Sequence, residues 1–151
     1  MTSEEMCELP AFRVSDEEAR KVMDQYKTIA VVGFSTSSEK PGHYVPKYLK
    51  EHGYTVIPVN PTAKGEILGQ KVFANLKEIP MKVDIVEIFR PPKDVPPIVE
   101  DAIAVGAKVV WMQEGIVNNA AAERAKAAGL TVVMDKCMMK VHRSRRGDGF
   151  H

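Results

Sequence analysis

Five short polar segments carry the residues able to do chemistry: Gly33-Phe-Ser-Thr-Ser-Ser-Glu-Lys-Pro-Gly42, Asn60-Pro-Thr-Ala-Lys-Gly65, Arg90-Pro-Pro-Lys93, Gln113-Glu-Gly-Ile116 and Asp135-Lys-Cys137. The first is rich in hydroxyls and leads into a helical pattern. Its backbone N–H groups and the helix N-terminus could hold a phosphate, with Ser35, Thr36, Ser37 and Ser38 donating further hydrogen bonds and Lys40 neutralising a second phosphate. A polar loop with ordinary helix caps would read the same way. Lys64, Arg90 and Lys93 offer more cations for phosphate oxygens. Pro61, Pro91 and Pro92 are rigid apolar edges able to flank a flat ring, although prolines there also simply end strands and start turns. Gly115 lets backbone approach a ligand closely, or serves a plain turn. Cys137 stands where a long ligand crossing these segments could end; a lone cysteine is more commonly an inert core residue.

Several familiar signatures are missing. Gly33 is followed by no second glycine until Gly42, so the loop is neither a GxGxxG fingerprint nor a Walker A loop. Val59-Asn60-Pro61 has no acidic residue for a ribose diol, which disfavours plain NAD. His43, His52 and His142 form no recognisable pair with Cys137, and no Ser/His/Asp or paired-carboxylate arrangement is evident. Cys7 and Cys137 have neither the spacing of a metal site nor the number for a disulfide framework.

The elements that must position these segments alternate along the chain. A helix is predicted from Ser15 to Tyr26, where Ser15 and Glu18 have capping-box spacing and Ala19, Val22, Met23 and Tyr26 recur at helical intervals. Thr28 to Gly33 reads as the central strand, buried on both faces. A helix through Val45, Tyr48, Leu49 and His52 stops at Gly53, and Tyr54 to Val59 is the next strand. Further strands cover Val83 to Phe89, Ala107 to Met112 and Leu130 to Met134, with helices after Asp94 and after Asn118 or Asn119 that close at Gly106 and Gly129. Between Pro61 and Pro80 the rhythm breaks, leaving a short extra strand near Lys71 to Phe73 and a small helix near Asn75 to Ile79. Short apolar strands alternating with helices demand parallel pairing through covered crossovers. The expected fold is α/β: a Rossmann-like three-layer arrangement with a five-stranded parallel sheet in the order 3-2-1-4-5, plus an N-terminal helix. In such a sheet, ligands settle beyond the carboxyl ends of the strands, where all five polar segments fall.

Composition sets the outer limits. At 151 residues and 44% apolar, the chain has length and core for one domain. With 21 Lys and Arg against 20 Asp and Glu, it gives no reason to expect general binding to nucleic acid or an anionic membrane, so any anion site must be local. The start, MTSEEMCELP, lacks the pattern of an export leader, and apolar runs reach only about five to eight residues. A cytoplasmic protein is expected. The eight methionines read as core filling, and the basic run Lys140 to Arg146 as a solvated end or, more sharply, a phosphate clamp or subunit contact.

Taken together the strand-end segments resemble the CoA-binding domain family, a Rossmann-like module similar to the amino-terminal domain of the succinyl-CoA synthetase alpha subunit, and above all its stand-alone single-domain members. The likeness runs from about Lys27 to His142. It rests on Ala30-Val-Val-Gly-Phe-Ser35, His52-Gly-Tyr-Thr-Val-Ile-Pro-Val-Asn-Pro61, Val83-Asp-Ile-Val-Glu-Ile-Phe-Arg-Pro91, Gly106-Ala-Lys-Val-Val-Trp-Met-Gln113, Glu114-Gly-Ile116 and Met134-Asp-Lys-Cys137. The resemblance implies coenzyme A as the cofactor. Gly33, Phe34, Ser35, Thr36, Ser37 and Lys40 would hold its phosphates, while Asn60, Pro61 and Lys64 border the nucleotide. Phe89, Arg90 and Pro91 would pack along it, and Gln113, Gly115 and Ile116 would line the pantetheine path towards Cys137. With the N-terminal helix and the basic end read from the residues themselves, the expected organisation is 1–26 as an extension with a bracing helix, 27–142 as the CoA-binding domain that the resemblance covers and 143–151 as a basic tail. The expected function is binding of CoA or acyl-CoA without a complete catalytic constellation, with thiol-disulfide exchange at Cys137 as a refinement. A nicotinamide-dependent or CoA-disulfide-handling redox enzyme is the main rival. A CoA-sensing regulatory module, acting through a homodimer or another protein partner, is the third reading.

Overall fold

The computed structural model describes residues 8–144. Its helices are α1 (Asp16–Gln25), α2 (Pro41–Glu51), α3 (Val95–Ala104), α4 (Asn119–Ala127) and α5 (Met138–Ser144). Its strands are β1 (Thr28–Val32), β2 (Thr55–Val59), β3 (Glu66–Ile67), β4 (Gln70–Lys71), β5 (Ile85–Ile88), β6 (Val109–Met112) and β7 (Thr131–Val133). The main sheet has five strands, all parallel, in the order β2-β1-β5-β6-β7. The α/β class, the five-stranded parallel Rossmann-like sheet and the N-terminal helix are therefore as expected.

The strand order differs from the expected one. Among the five full strands it is 2-1-3-4-5, because β5 pairs with the free side of β1, from Ile29 opposite Ile85 to Val32 opposite Ile88. The outer place beside β2, which the order 3-2-1-4-5 gives to a third strand, is held by Phe73 alone in one parallel bridge to Val59. The intervening chain forms the small antiparallel hairpin of β3 and β4, whose turn takes Leu68 and Gly69 through φ of 53° and 76°. Its strands are two polar-edged residues each, too short to widen the sheet.

Alternation along the strands builds two apolar layers. Ala30, Val32, Val86, Ile88, Val110 and Met112 face α3 and α4, meeting Val95, Val99, Ala122 and Ala125. Ile29, Val31, Ile85, Val109 and Trp111 face α1, α2 and α5, meeting Met23, Val45, Leu49 and Met138. Helix α1 starts with the expected capping box between Ser15 and Glu18 and braces the second layer. Tyr54 donates its hydroxyl to Met23 O at 3.0 Å, and Arg20 reaches Ser144 Oγ at 2.9 Å. The basic run is helical as far as Ser144, with Val141 and His142 buried, which corrects the reading of this part as solvated. Arg145 to His151 and Cys7 lie outside the described residues.

One residue breaks the apolar logic. Glu87, in the middle of β5, is 0% exposed between Val31 and Trp111, and neither carboxylate oxygen has a hydrogen-bond partner. Burial alone pushes its pKa up from 4.5 to about 8.

Candidate functional site

The crossover from β1 to β2 runs through α2 on one face, whereas those from β5 to β6 and from β6 to β7 run through α3 and α4 on the other. The connections thus part between β1 and β5, and a cleft of about 840 Å³ opens at the carboxyl ends of the strands there. Gly33, at the end of β1, has φ +91°, and a Cβ on it would come within 3.0 Å of Phe89 O and Arg90 Cδ. Gly42, in the first turn of α2, would set a Cβ 3.0 Å from Gly33 O. These two glycines let the loops after β1 and β5 and the start of α2 close around the cleft.

The loop between them is tied mostly to itself. Ser35 N donates to Gly42 O at 3.0 Å, Ser37 N to Ser35 Oγ at 3.1 Å and Lys40 N to Ser37 O at 3.1 Å. His43 Nδ1 lies 2.8 Å from Ser35 O. Several amides expected to face a phosphate therefore hold the loop in shape instead. Proline at the first helical position removes one more donor, leaving Gly42 N–H to open the helix N-terminus. Asn60 is also committed: its Nδ2 donates to Phe34 O at 2.8 Å, while its Oδ1 accepts from Thr62 N at 2.9 Å. It staples the loop after β2 to the loop after β1.

Of the residues singled out in the sequence, Gly33, Phe34, Ser35, Lys40, Asn60, Pro61, Phe89, Arg90, Gln113 and Ile116 line this one cleft. Thr36, Ser37, Lys64, Pro91 and Gly115 do not, although Gly115 stands between two residues that do. Cys137 is buried beside a separate, smaller cavity of about 200 Å³, shared with Asp16, Glu114, Asp135, Lys136, Lys140 and Val141. Glu114 borders both cavities.

Helix α3 contributes a wall that sequence reasoning missed. Asp94, just before α3, and Pro97, Ile98 and Asp101 within it recur at helical spacing and line the cleft, as do Ala74, Asn75 and Leu76. The apolar members of that stripe were legible as helical periodicity; its acidic members looked like ordinary solvent-facing charge. The cleft's charges are largely paired. Arg90 Nη2 meets Asp94 Oδ2 at 2.9 Å, Lys77 meets Asp101 at 3.6 Å and Lys140 meets Glu114 at 2.9 Å. The hydrogen bond and charge of Glu114 raise the Lys140 pKa above its ordinary value. Lys40 carries no side-chain ion pair among the described residues.

This fold and this cleft define a Rossmann-like ligand-binding module. The CoA binding domain family model matches residues 27–143, and the chain belongs to that family. It is 40% identical to the uncharacterized protein YneT of Bacillus subtilis over 85% of this chain and 94% of that one. It is 41% identical to the alpha subunit of Acetate--CoA ligase [ADP-forming] I of Pyrococcus furiosus over 56% of this chain, a stretch that makes up 19% of the ligase subunit. Among solved structures, a hypothetical protein from Pyrococcus horikoshii is similar at 43% identity and TM-score 0.84, covering 90% of this chain and 95% of its own. The PH1109 protein redesigned for binding is similar at 41% identity and TM-score 0.87, covering 94% and 99%. Among the described residues, no helix is long and apolar enough to cross a membrane.

Proposed function

We propose that the chain binds coenzyme A or an acyl-CoA in the large cleft, in the cytoplasm, as a binding protein rather than a ligase. The observation that carries this reading is the convergence of Gly33, Lys40, Asn60, Arg90 and Ile116 on one opening at the strands' carboxyl ends in a chain of the CoA-binding family. A cleft of about 840 Å³ is in the range that takes a cofactor-sized ligand. The fit is chemical as well as spatial. Lys40, the Ser35 hydroxyl and the Gly42 N–H would hold phosphate oxygens, and a side chain at either glycine would fill the cradle. Pro61, Leu76, Pro97 and Ile98 offer apolar walls for the adenine ring, and Gln113 and Ile116 border the route for the pantetheine arm. Arg90 would join the phosphates by turning away from Asp94. That exposed pair is worth only about 0–1 kcal/mol, so little opposes the exchange.

Cys137 adds a refinement. Its thiolate would attack one sulfur of an oxidised CoA disulfide, forming a protein–CoA mixed disulfide and releasing the second CoA as its thiolate. Calorimetric titration with CoA and dephospho-CoA tests the binding reading: saturable heat supports it, and neither heat nor thermal shift at millimolar ligand overturns it. Intact mass after incubation with CoA disulfide tests the refinement. An adduct absent from Cys137→Ser supports it, and an unchanged mass removes it.

A further inference from the structure

The loop Gln113–Ile116 is held by a residue that does not line the large cleft. Ile116 N donates to Gln113 O at 2.9 Å, closing a tight turn, and Gly115 has φ +86°, as a type II turn requires of its third residue. Such a turn leaves the Gly115 amide pointing away from its own chain. Asp135 meets it: Oδ1 accepts from Gly115 N at 2.7 Å, while Oδ2 lies 3.4 Å from Arg13 Nη1. Asp135 itself has φ 60°, a left-handed conformation that disfavours most side chains and that Asp and Asn tolerate best. The turn after β7 is fastened to β6 at further points, by Trp111 Nε1 donating to Lys136 O at 2.8 Å and by Met138 N reaching Gln113 Oε1 at 3.5 Å.

We infer that Asp135 is a positioning residue for the ligand cleft: its carboxylate fixes the Glu114-Gly115 turn and so sets the wall formed by Gln113, Glu114 and Ile116. The inference rests on the proposed CoA reading for its ligand, not for its geometry. The strained backbone at Asp135 keeps the carboxylate aimed along the sheet edge at the neighbouring loop. Arg13 holds the other oxygen, so the N-terminal segment before α1 is the outer support of the same contact. Ligand affinity thus depends on a carboxylate on the far side of the loop it controls.

Three variants separate the contributions. Asp135→Asn keeps an oxygen acceptor and a side chain tolerant of positive φ. Asp135→Gly keeps the backbone comfortable but deletes the acceptor, and Asp135→Ala deletes the acceptor and adds strain. The readouts are CoA affinity by calorimetry and amide hydrogen exchange at Gly115 and Ile116 in the ligand-free protein. Asp135→Asn is expected within about threefold of the parent affinity, with the Gly115 amide still protected, whereas Asp135→Gly loses about tenfold, the size of one charge-assisted hydrogen bond, together with that protection. Rescue by Asn but not by Gly is the signature of positioning. Loss of stability alone would leave Asp135→Gly with the parent affinity under conditions where it is folded. Parent-like affinity and protection in Asp135→Gly overturns the inference. A parent protein that binds no CoA sinks the ligand reading instead, and exchange at Gly115 still decides whether Asp135 fixes the loop.

Discussion

Replacing Glu87 with Gln should abolish a steep loss of stability with rising pH. The carboxyl is fully buried and both oxygens lack partners, so the neutral acid is the form the core accepts. Its pKa is raised from 4.5 to about 8 in the folded chain. The sign follows from linkage: a group with a raised folded-state pKa gives its full stabilisation below the unfolded value and loses it as pH climbs through the folded value. Between 4.5 and about 8, each pH unit removes about 1.4 kcal/mol from the folded state, a total of about 4–5 kcal/mol across the window. That is a large share of the stability of a domain this size. Gln is nearly isosteric and never ionises. Urea denaturation of the parent and Glu87→Gln, from about pH 5 to 9, isolates the residue because other titrating groups cancel in the difference. At about pH 5 the two should lie within about 1–2 kcal/mol, since each buries one unsatisfied neutral group. The balance should then move towards the variant by about 1.4 kcal/mol per pH unit and level off above about pH 8. Glu87→Leu should track Glu87→Gln in slope. Parallel pH profiles for parent and variants would refute the reasoning and mean that Glu87 is ionised and compensated in the folded protein.

The remaining predictions concern the cleft and its supports. Gly33→Ala forces a Cβ to within 3.0 Å of Phe89 O at φ +91°, so it should cost about 1–3 kcal/mol in denaturant melts and abolish CoA heat in calorimetry. Arg90→Gln should weaken CoA binding by about tenfold, and Asp94→Asn, which releases Arg90 from its 2.9 Å partner, should tighten it severalfold. Opposite signs for these two variants are the result to look for. Asn118→Ala removes the cap that accepts from Ala121 N at 2.9 Å and the 2.9 Å bond to Pro92 O. A denaturant melt should show stability lowered by about 1–2 kcal/mol, and calorimetric titration a nearly unchanged CoA affinity.

Local pattern made most of the fold legible. The capping pair Ser15 and Glu18 and the glycines Gly53, Gly106 and Gly129 mark their elements by chemistry that acts within a few residues, and the structure uses each as read. The run Thr28 to Gly33 does hold a strand, Thr28–Val32, but it stands second in the sheet and β5 takes the central place expected for it. Sheet order is different in kind. A strand buried on both faces shows an unbroken apolar run whichever neighbour it has, so nothing in Ile85-Val-Glu-Ile88 says that β5 pairs with β1 rather than beyond β2. The site was legible where it depends on strand ends, as at Gly33, Asn60 and Arg90. Where it depends on how a helix is rotated, as at Ile98 and Asp101, the sequence offered a stripe but no direction. Glu87 could have been found. Val83-Asp-Ile-Val-Glu-Ile-Phe89 carries an acidic residue in an apolar run that reads as buried on both faces, and no partner of opposite charge is available within that segment.

Charge balance explains how an almost neutral chain could take a strongly anionic ligand. The formal net charge is +1, and the cleft holds Lys40 and Arg90 against Asp94, Asp101 and Glu114. A field of that kind cannot draw an anion in from a distance. Each carboxylate, however, is held in an ion pair, by Arg90, Lys77 and Lys140 respectively. On the proposed reading, the groups that would recognise phosphate are short-ranged: Lys40, the opening amide of α2, and the Arg90 guanidinium once it turns. Contacts of this kind act within hydrogen-bond distance and depend on the loop geometry that Gly33, Gly42 and Asn60 enforce. Lys40 and Arg90 are exposed, so the share of affinity they supply should fall as ionic strength rises, whereas the share set by loop geometry should answer to changes at Gly33, Gly42 and Asn60.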